Sequence, residues 1–187
     1  MTTIDLADGG WLLLAEGFLA TGEAGNFFEK LMGETRWARK PGLFGHPQPR
    51  LTAAHGDAGI DYCCSGTSNP ASPWTDALLE IRSRVEQVRG RYNFCLLNRY
   101  RSGADSVGWH ADDEPGMGDT IASLSLGATR IFRIRHNQTR ETRSFPLADG
   151  TLLIMGGSMQ RFWKHSVPKT ARPVGERVNL TFRWLAR

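Results

Sequence analysis

Arg177-Val178-Asn179-Leu180-Thr181-Phe182-Arg183-Trp184 is the stretch on which the reading of this chain turns. In extended backbone, successive side chains point to opposite faces. Arg177, Asn179, Thr181 and Arg183 therefore share one face, and Val178, Leu180, Phe182 and Trp184 share the other. The apolar face belongs on a core. The polar face is either wet or turned into a barrel, where two arginines flanking Asn and Thr make a cradle for a carboxylate.

Similar short segments recur upstream, back to Gly90: residues 93–100, 120–126, 130–135, 143–147, 150–155 and 161–167. Several strands at this spacing predict a sandwich or barrel. Before Gly90 the periodicity is helical. Residues 25–32 put Phe27, Phe28 and Leu31 on one face, and 74–88 repeats Leu78, Ile81, Val85 and Val88 after a Ser72-Pro73 start. Helices first and strands afterwards predict an α+β chain, mainly β: a jelly roll, or double-stranded β-helix, buttressed by N-terminal helices. Residues 41–75 hold five of the nine prolines and read as extended strands and loops, the composition of a lid or binding loop.

Length and composition set the outer bounds. The 187 residues fit a single domain, and 40% hydrophobic with 22% charged residues excludes wholesale disorder and collagen-like repeats. No apolar run approaches the ~20 residues of a membrane span, so no membrane partner is expected. Met1-Thr-Thr-Ile-Asp5 has no basic segment leading into an apolar one, so no secretory signal is expected. Three cysteines, two of them adjacent at Cys63 and Cys64, make no disulfide framework and cannot supply a four-cysteine zinc site. A monomer in a reducing prokaryotic cytosol is the expectation.

Charge is segregated along the chain. Residues 1–35 carry −5, residues 36–101 carry +5, residues 102–129 carry −5 and residues 130–187 carry +9. Nineteen of the 23 cations are Arg, the side chain suited to bidentate phosphate contacts. This pattern fits either a solvated surface or a polyanion-binding surface around an acidic, metal-holding centre.

The acidic island contains Gly108-Trp109-His110-Ala111-Asp112-Asp113-Glu114. Read as extended, it lets His110 and Asp112 reach one ion from the same face. Two imidazoles and a carboxylate form the facial triad that binds non-haem Fe(II) and leaves positions open. Of the other histidines, His165 sits in the strand-like run Phe162-Trp-Lys-His-Ser-Val167 and is the candidate third ligand. His55 and His136 read as loop residues, Trp163 as packing, and Cys63, Cys64 and Cys95 as small apolar fillers.

Taken together, Asn98-Arg-Tyr-Arg101, His110-Ala-Asp112-Asp-Glu114, Ile121-Ala-Ser-Leu-Ser-Leu-Gly127, Trp163-Lys-His165-Ser-Val-Pro168 and Arg177-Val-Asn179-Leu-Thr181-Phe-Arg183 resemble the AlkB family of Fe(II)/2-oxoglutarate dioxygenases, which repair alkylated nucleic acids. Pro49-Arg50, Gly56-Asp-Ala-Gly-Ile-Asp-Tyr62 and Ser65-Gly66 are similar to the nucleotide-recognition lid of the branch that includes the nuclear animal DNA-repair homologue. The likeness runs over residues 45–185. Residues 1–35 match no motif.

The resemblance implies a lid over approximately 36–75 and a jelly-roll catalytic core over 90–187. It implies Fe(II) on His110, Asp112 and His165, and 2-oxoglutarate on Asn98, Tyr100, Arg177, Thr181 and Arg183, with Asn179 in the same strand. Tyr62 and Asp113 would face a flipped base, Ser65 would line the lid and Arg50 would contact substrate phosphate or backbone. The implied activity is oxidative demethylation of N-alkylated bases such as 1-methyladenine and 3-methylcytosine in alkylated DNA. An oxygenase acting on RNA, protein or a small metabolite is the alternative. Cys64 stands where that branch has an aromatic residue, and Leu43 or Phe44 are the candidates for its helix-inserting finger.

Overall fold

The computed structural model of the chain describes residues 1–41, 47–64 and 67–186, with 61–64 and 67–70 described by their backbone. Thr2–Asp5 (β1) and Gly10–Ala15 (β2) are joined by a 3-10 turn at Ala7–Gly9. Thr21–Glu34 (α1) follows, then Leu51–Gly56 (β3) and the antiparallel pair Asp61–Cys64 (β4) and Thr67–Pro70 (β5). Asp76–Val88 (α2) leads into Phe94–Tyr100 (β6), Val107–His110 (β7), Ile121–Gly127 (β8), Arg130–His136 (β9) and Thr142–Leu147 (β10). Thr151–Gly157 (β11), the single turn Met159–Phe162 (α3), Trp163–Val167 (β12) and Arg177–Arg183 (β13) complete the order.

Seven strands form one sheet in the order β1-β2-β11-β8-β13-β6-β3, and four form a second in the order β10-β9-β12-β7. The period of two then sorts side chains into layers. On one face of the large sheet, Cys95, Leu97, Ala122, Leu124, Leu152, Ile154, Val178, Leu180 and Phe182 pack with Phe27 and Leu31 of α1 and with Leu78, Ile81 and Val85 of α2. The other face turns toward the small sheet, where Tyr100, Leu153 and Met155 meet Phe132, Ile134, Trp163 and Val167. Helices, large sheet and small sheet are thus three layers, as the jelly-roll reading expects.

β13 lies between β8 and β6, and all seven of its residues are buried. Its polar face is therefore not the wet one. It points between the sheets.

Several boundaries differ from the sequence reading. The sandwich draws strands from outside residues 90–187, because β1, β2 and β3 belong to the large sheet. Residues 1–35 thus supply two strands. Gly10-Trp-Leu-Leu-Leu-Ala15 is apolar on both parities, so alternation could not reveal it. The 161–167 segment opens with the end of α3 and becomes strand only at Trp163. α2 starts at Asp76 rather than at Trp74, because Thr75 caps it, its Oγ1 accepting the Leu78 N–H at 3.3 Å.

His55 and His136 are strand residues, not loop residues. His136 Nδ1 accepts the Thr139 N–H at 3.1 Å, so its Nε2 is the donor to Asp8 Oδ2 at 2.8 Å. Trp163 and Cys95 are fully buried, as expected for packing residues.

Candidate active site

β7 and β12 pair so that His110 stands directly opposite His165, with the register shifting just beyond, between His165 and Val167. The two rings come within 4.2 Å, centroid to centroid. Asp112 sits two residues past the end of β7, in a loop rather than in the continued strand. It still reaches the pair: His110 Nε2 lies 3.9 Å from Asp112 Oδ1, and His165 Nε2 lies 3.8 Å from Asp112 Oδ2. The three candidate ligand atoms all fall within 4.8 Å of one another, the one such cluster of His, Cys, Asp or Glu among the described residues.

Two side chains far away in sequence hold the Asp112 loop in place. Gln160 of α3 accepts the Asp112 N–H on Oε1 at 3.0 Å, and Arg183 Nη2 donates to Asp112 Oδ2 at 2.8 Å. His110 Nδ1 lies 2.9 Å from the Gly108 carbonyl, which can only accept, so in the neutral ring the lone pair is on Nε2 facing Asp112.

Electrostatics set the protonation states that a metal needs. Burial pushes the Asp112 carboxyl up, but the Arg183 guanidinium, His165 and His110 outweigh it and hold it well below the usual carboxylate range. Burial, joined by the neighbouring His110 and Arg183 and opposed by Asp112, takes His165 down to about 3. The site offers one anionic oxygen and neutral His165 nitrogen without any proton being displaced at neutral pH. The donor set fits a divalent iron.

The rest of the pocket is built from cross-strand neighbours. Arg177 pairs in register with Tyr100, Asn179 with Asn98 on one side and Ser125 on the other, and Thr181 with Ser123. These residues, with Ser125 excepted, line one pocket together with His110, Asp112, His165 and Arg183. Asn179 Nδ2 donates to Ser123 Oγ at 2.8 Å, and Thr181 Oγ1 donates to Asn179 Oδ1 at 3.1 Å.

Arg177 is 1% exposed and Nη2 donates to Ser125 Oγ at 2.8 Å, while Nε and Nη1 have no hydrogen-bond partner among the described residues. A buried guanidinium with two unpartnered nitrogens is costly unless an anion meets it. A carboxylate fits that need, in the same pocket as the histidines.

The expected positions divide accordingly. The structure gathers His110, Asp112, His165, Asn98, Tyr100, Arg177, Asn179, Thr181 and Arg183 around one pocket. The two arginines of the cradle are not equivalent, since Arg183 serves Asp112. Arg50 is also in the pocket wall, where its Nε donates to Asn98 Oδ1 at 2.6 Å. Asp113 is exposed beside the triad and lines a separate shallow cleft with Gln160 and Arg161. Leu43, Phe44 and Ser65 lie outside the described residues, and Tyr62 and Cys64 are placed by backbone alone, opposite Asn69 and Thr67.

Sequence reasoning missed Ser123, Ser125 and Gln160. The serines left a signal, because two hydroxyls alternate with apolar residues in Ala122-Ser-Leu-Ser-Leu126. Gln160, on a one-turn helix, left none.

The 2OG-Fe(II) oxygenase superfamily model matches residues 12–183. Alpha-ketoglutarate-dependent dioxygenase alkB homolog 3 of Rattus norvegicus is 40% identical over 91% of this chain and 62% of its own length. DNA oxidative demethylase ALKBH2 of Mus musculus is 40% identical over 86% of this chain and 74% of its own. The chain spans 62–64% of the length of the first curated relatives that it matches. A solved structure described as that of OsALKBH1 aligns with a TM-score of 0.66 and 20% identity, covering 96% of this chain and all of that one, a likeness of fold. With the superfamily model running from β2 to the last strand, with a DNA oxidative demethylase 40% identical over most of both chains, and with His110, Asp112 and His165 gathered by the strand order, the chain belongs to the AlkB family of the 2OG-Fe(II) oxygenases.

Proposed function

We propose that this protein removes alkyl groups from N-alkylated bases in DNA, such as 1-methyladenine and 3-methylcytosine, by Fe(II)- and 2-oxoglutarate-dependent oxidation. The observation that carries this reading is the conjunction in one pocket of the His110–Asp112–His165 cluster and a buried Arg177 with two unpartnered guanidinium nitrogens. The substrate class follows the relatives, one of which is named a DNA oxidative demethylase.

His110 Nε2, Asp112 and His165 Nε2 would hold the iron, and Arg177, with Tyr100 and Asn98 beside it, the distal carboxylate of 2-oxoglutarate. Bound together with O2, this centre supplies hydroxylation of the N-alkyl carbon, with 2-oxoglutarate leaving as succinate and CO2 and the alkyl carbon as an aldehyde. The chain's own part is to orient and exclude. Arg183 keeps Asp112 ionised and aimed, Gln160 fixes its backbone, and Asn179 with Thr181 and Ser123 presents a hydrogen-bonded floor.

Tyr62 and Asp113 would face the extruded base, with Ser65 in the lid over residues 36–75 and Arg50 at the pocket wall toward the substrate strand. A base inside a duplex is unreachable unless extruded or already single-stranded. The Arg-rich flanks suit phosphate contacts, and we take the working form to be a cytosolic monomer. No helix among the described residues is long and apolar enough to cross a membrane.

The test is mass spectrometry of oligonucleotides carrying 1-methyladenine or 3-methylcytosine, in DNA and RNA and in single and double strands. Replacement of the N-methyl by hydrogen, a net loss of CH2 from DNA dependent on Fe(II) and 2-oxoglutarate, is expected. Methylated DNA left intact while RNA, a peptide or a small metabolite is oxidised would overturn the substrate assignment.

A further inference from the structure

Arg130, at the start of β9, is 3% exposed. Its Nη1 donates to the Ser102 carbonyl at 3.1 Å, and its Nη2 to the carbonyls of Asp105 and Pro168, each at 2.8 Å. No carboxylate among the described residues bonds it: both Asp105 oxygens go to Arg101. Its Cζ lies 5.3 Å from the centroid of Tyr100, and the Cζ of Arg177 lies 5.1 Å from that same centroid. Two buried guanidiniums therefore share one phenol ring, and neither has a carboxylate hydrogen-bonded to it among the described residues.

A purely structural role would have Arg130 staple the loop after β6 to the loop after β12. Those loops are already joined without it. Thr170 N–H donates to the Gly103 carbonyl at 2.9 Å, and Gly103 lets the backbones approach so closely that an added Cβ would collide with the Thr170 carbonyl. The staple alone therefore does not account for a charged side chain at this place.

We propose that Arg130 is a positioning residue for the dicarboxylate co-substrate. It fixes the Tyr100 ring against Arg177 and adds a second positive charge behind the site of the distal carboxylate. The inference rests on the assignment of Arg177 to that carboxylate. The Arg130 charge reaches Arg177: burial first, and then that charge, pull the Arg177 guanidinium below its usual range, with Tyr100 opposing. An incoming carboxylate relieves that repulsion, and the buried pair becomes a selector for a 2-oxo acid with an acidic far end.

Calorimetric titration of the Mn(II)-loaded protein, without O2 or nucleic acid, tests this directly. The probes are 2-oxoglutarate and 2-oxobutyrate, which lacks the distal carboxylate. Arg130→Gln is expected to weaken 2-oxoglutarate tenfold or more while leaving 2-oxobutyrate and Mn(II) affinity unchanged. Arg130→Lys is expected to restore most of the loss. Wild-type 2-oxoglutarate affinity in Arg130→Gln, or equal weakening of both oxo acids, would overturn the inference.

Arg130→Met keeps an apolar stem against Tyr100 and carries the same comparison if the Gln variant folds poorly. Loss of the fold in both neutral variants would make Arg130 a staple and also overturn the proposal. Arg177→Met separates the two levels. If it binds 2-oxoglutarate like the wild type, the co-substrate assignment itself fails; if it loses binding while Arg130→Gln does not, only the role of Arg130 falls.

Discussion

Asp112 bonds Arg183 and is also a proposed metal ligand, and its substitution should show both. Arg183 Nη2 sits 2.8 Å from Asp112 Oδ2 with both side chains almost wholly buried. Breaking a buried pair from one side costs about 3–5 kcal/mol because the remaining charge loses its compensation. Asp112→Ala is expected to abolish turnover and iron binding, and to lower the urea midpoint of the metal-free protein as well. Full turnover by that variant would dismiss the triad. Gln160 offers a subtler check, since its side-chain hydrogen bonds among the described residues go to the Asp112 backbone and the Met155 sulfur. Groups that orient a ligand typically contribute 10–100-fold to metal affinity. Gln160→Ala should weaken iron by that factor in a metal-buffered titration while Gln160→Glu, which keeps the accepting oxygen, recovers much of it. The His110 and Asp112 pairing was readable from their spacing, and the Arg183 partnership was not, because its register becomes visible only once β13 lies in the sheet.

At the scale of elements, β13 is where sequence and structure agree best, and the N-terminus is where they part. Alternation in 177–183 sorted the side chains into their two faces because each polar side chain has an apolar neighbour to contrast with, and left open whether the polar face was wet. β2 has no such contrast, β1 is a four-residue edge strand, and α3 is too short to show a period. Arg177→Ala tests β13 through its function. Loss of the buried partner should raise the 2-oxoglutarate requirement by roughly two to four orders of magnitude, the equivalent of about 3–5 kcal/mol, with iron affinity retained. An unchanged titration would remove Arg177 from the site. The β4–β5 hairpin carries a different prediction, from its sequence. Cys64 is small where the resembling branch has an aromatic ring, and stacking on a base contributes ~1–3 kcal/mol. Single strands should therefore be repaired at least as well as duplexes, and Cys64→Phe should improve duplex turnover. A clear duplex preference in the unmodified protein, lost on Phe44→Ala, would instead assign the helix-inserting role to Phe44.

For the whole molecule, the three-layer arrangement explains why so much of the chain serves one pocket. Helices cover one face of the large sheet, so that its other face is free to be polar within a closed sandwich. The acidic island at 102–129 supplies His110 and Asp112, and under the proposed function the basic stretches on either side of it would meet the phosphates of the substrate. Oligonucleotide affinity should accordingly fall steeply between low and physiological salt, while 2-oxoglutarate affinity, set by buried groups, should change little. The most direct test of the central claim is stoichiometric. Succinate and restored base are counted together in one anaerobically assembled reaction, started with O2, on single-stranded DNA containing 1-methyladenine. One succinate per restored adenine, with neither product formed by Asp112→Ala, is the predicted result. Restoration of the base without 2-oxoglutarate, or at full rate in Asp112→Ala, would contradict the account.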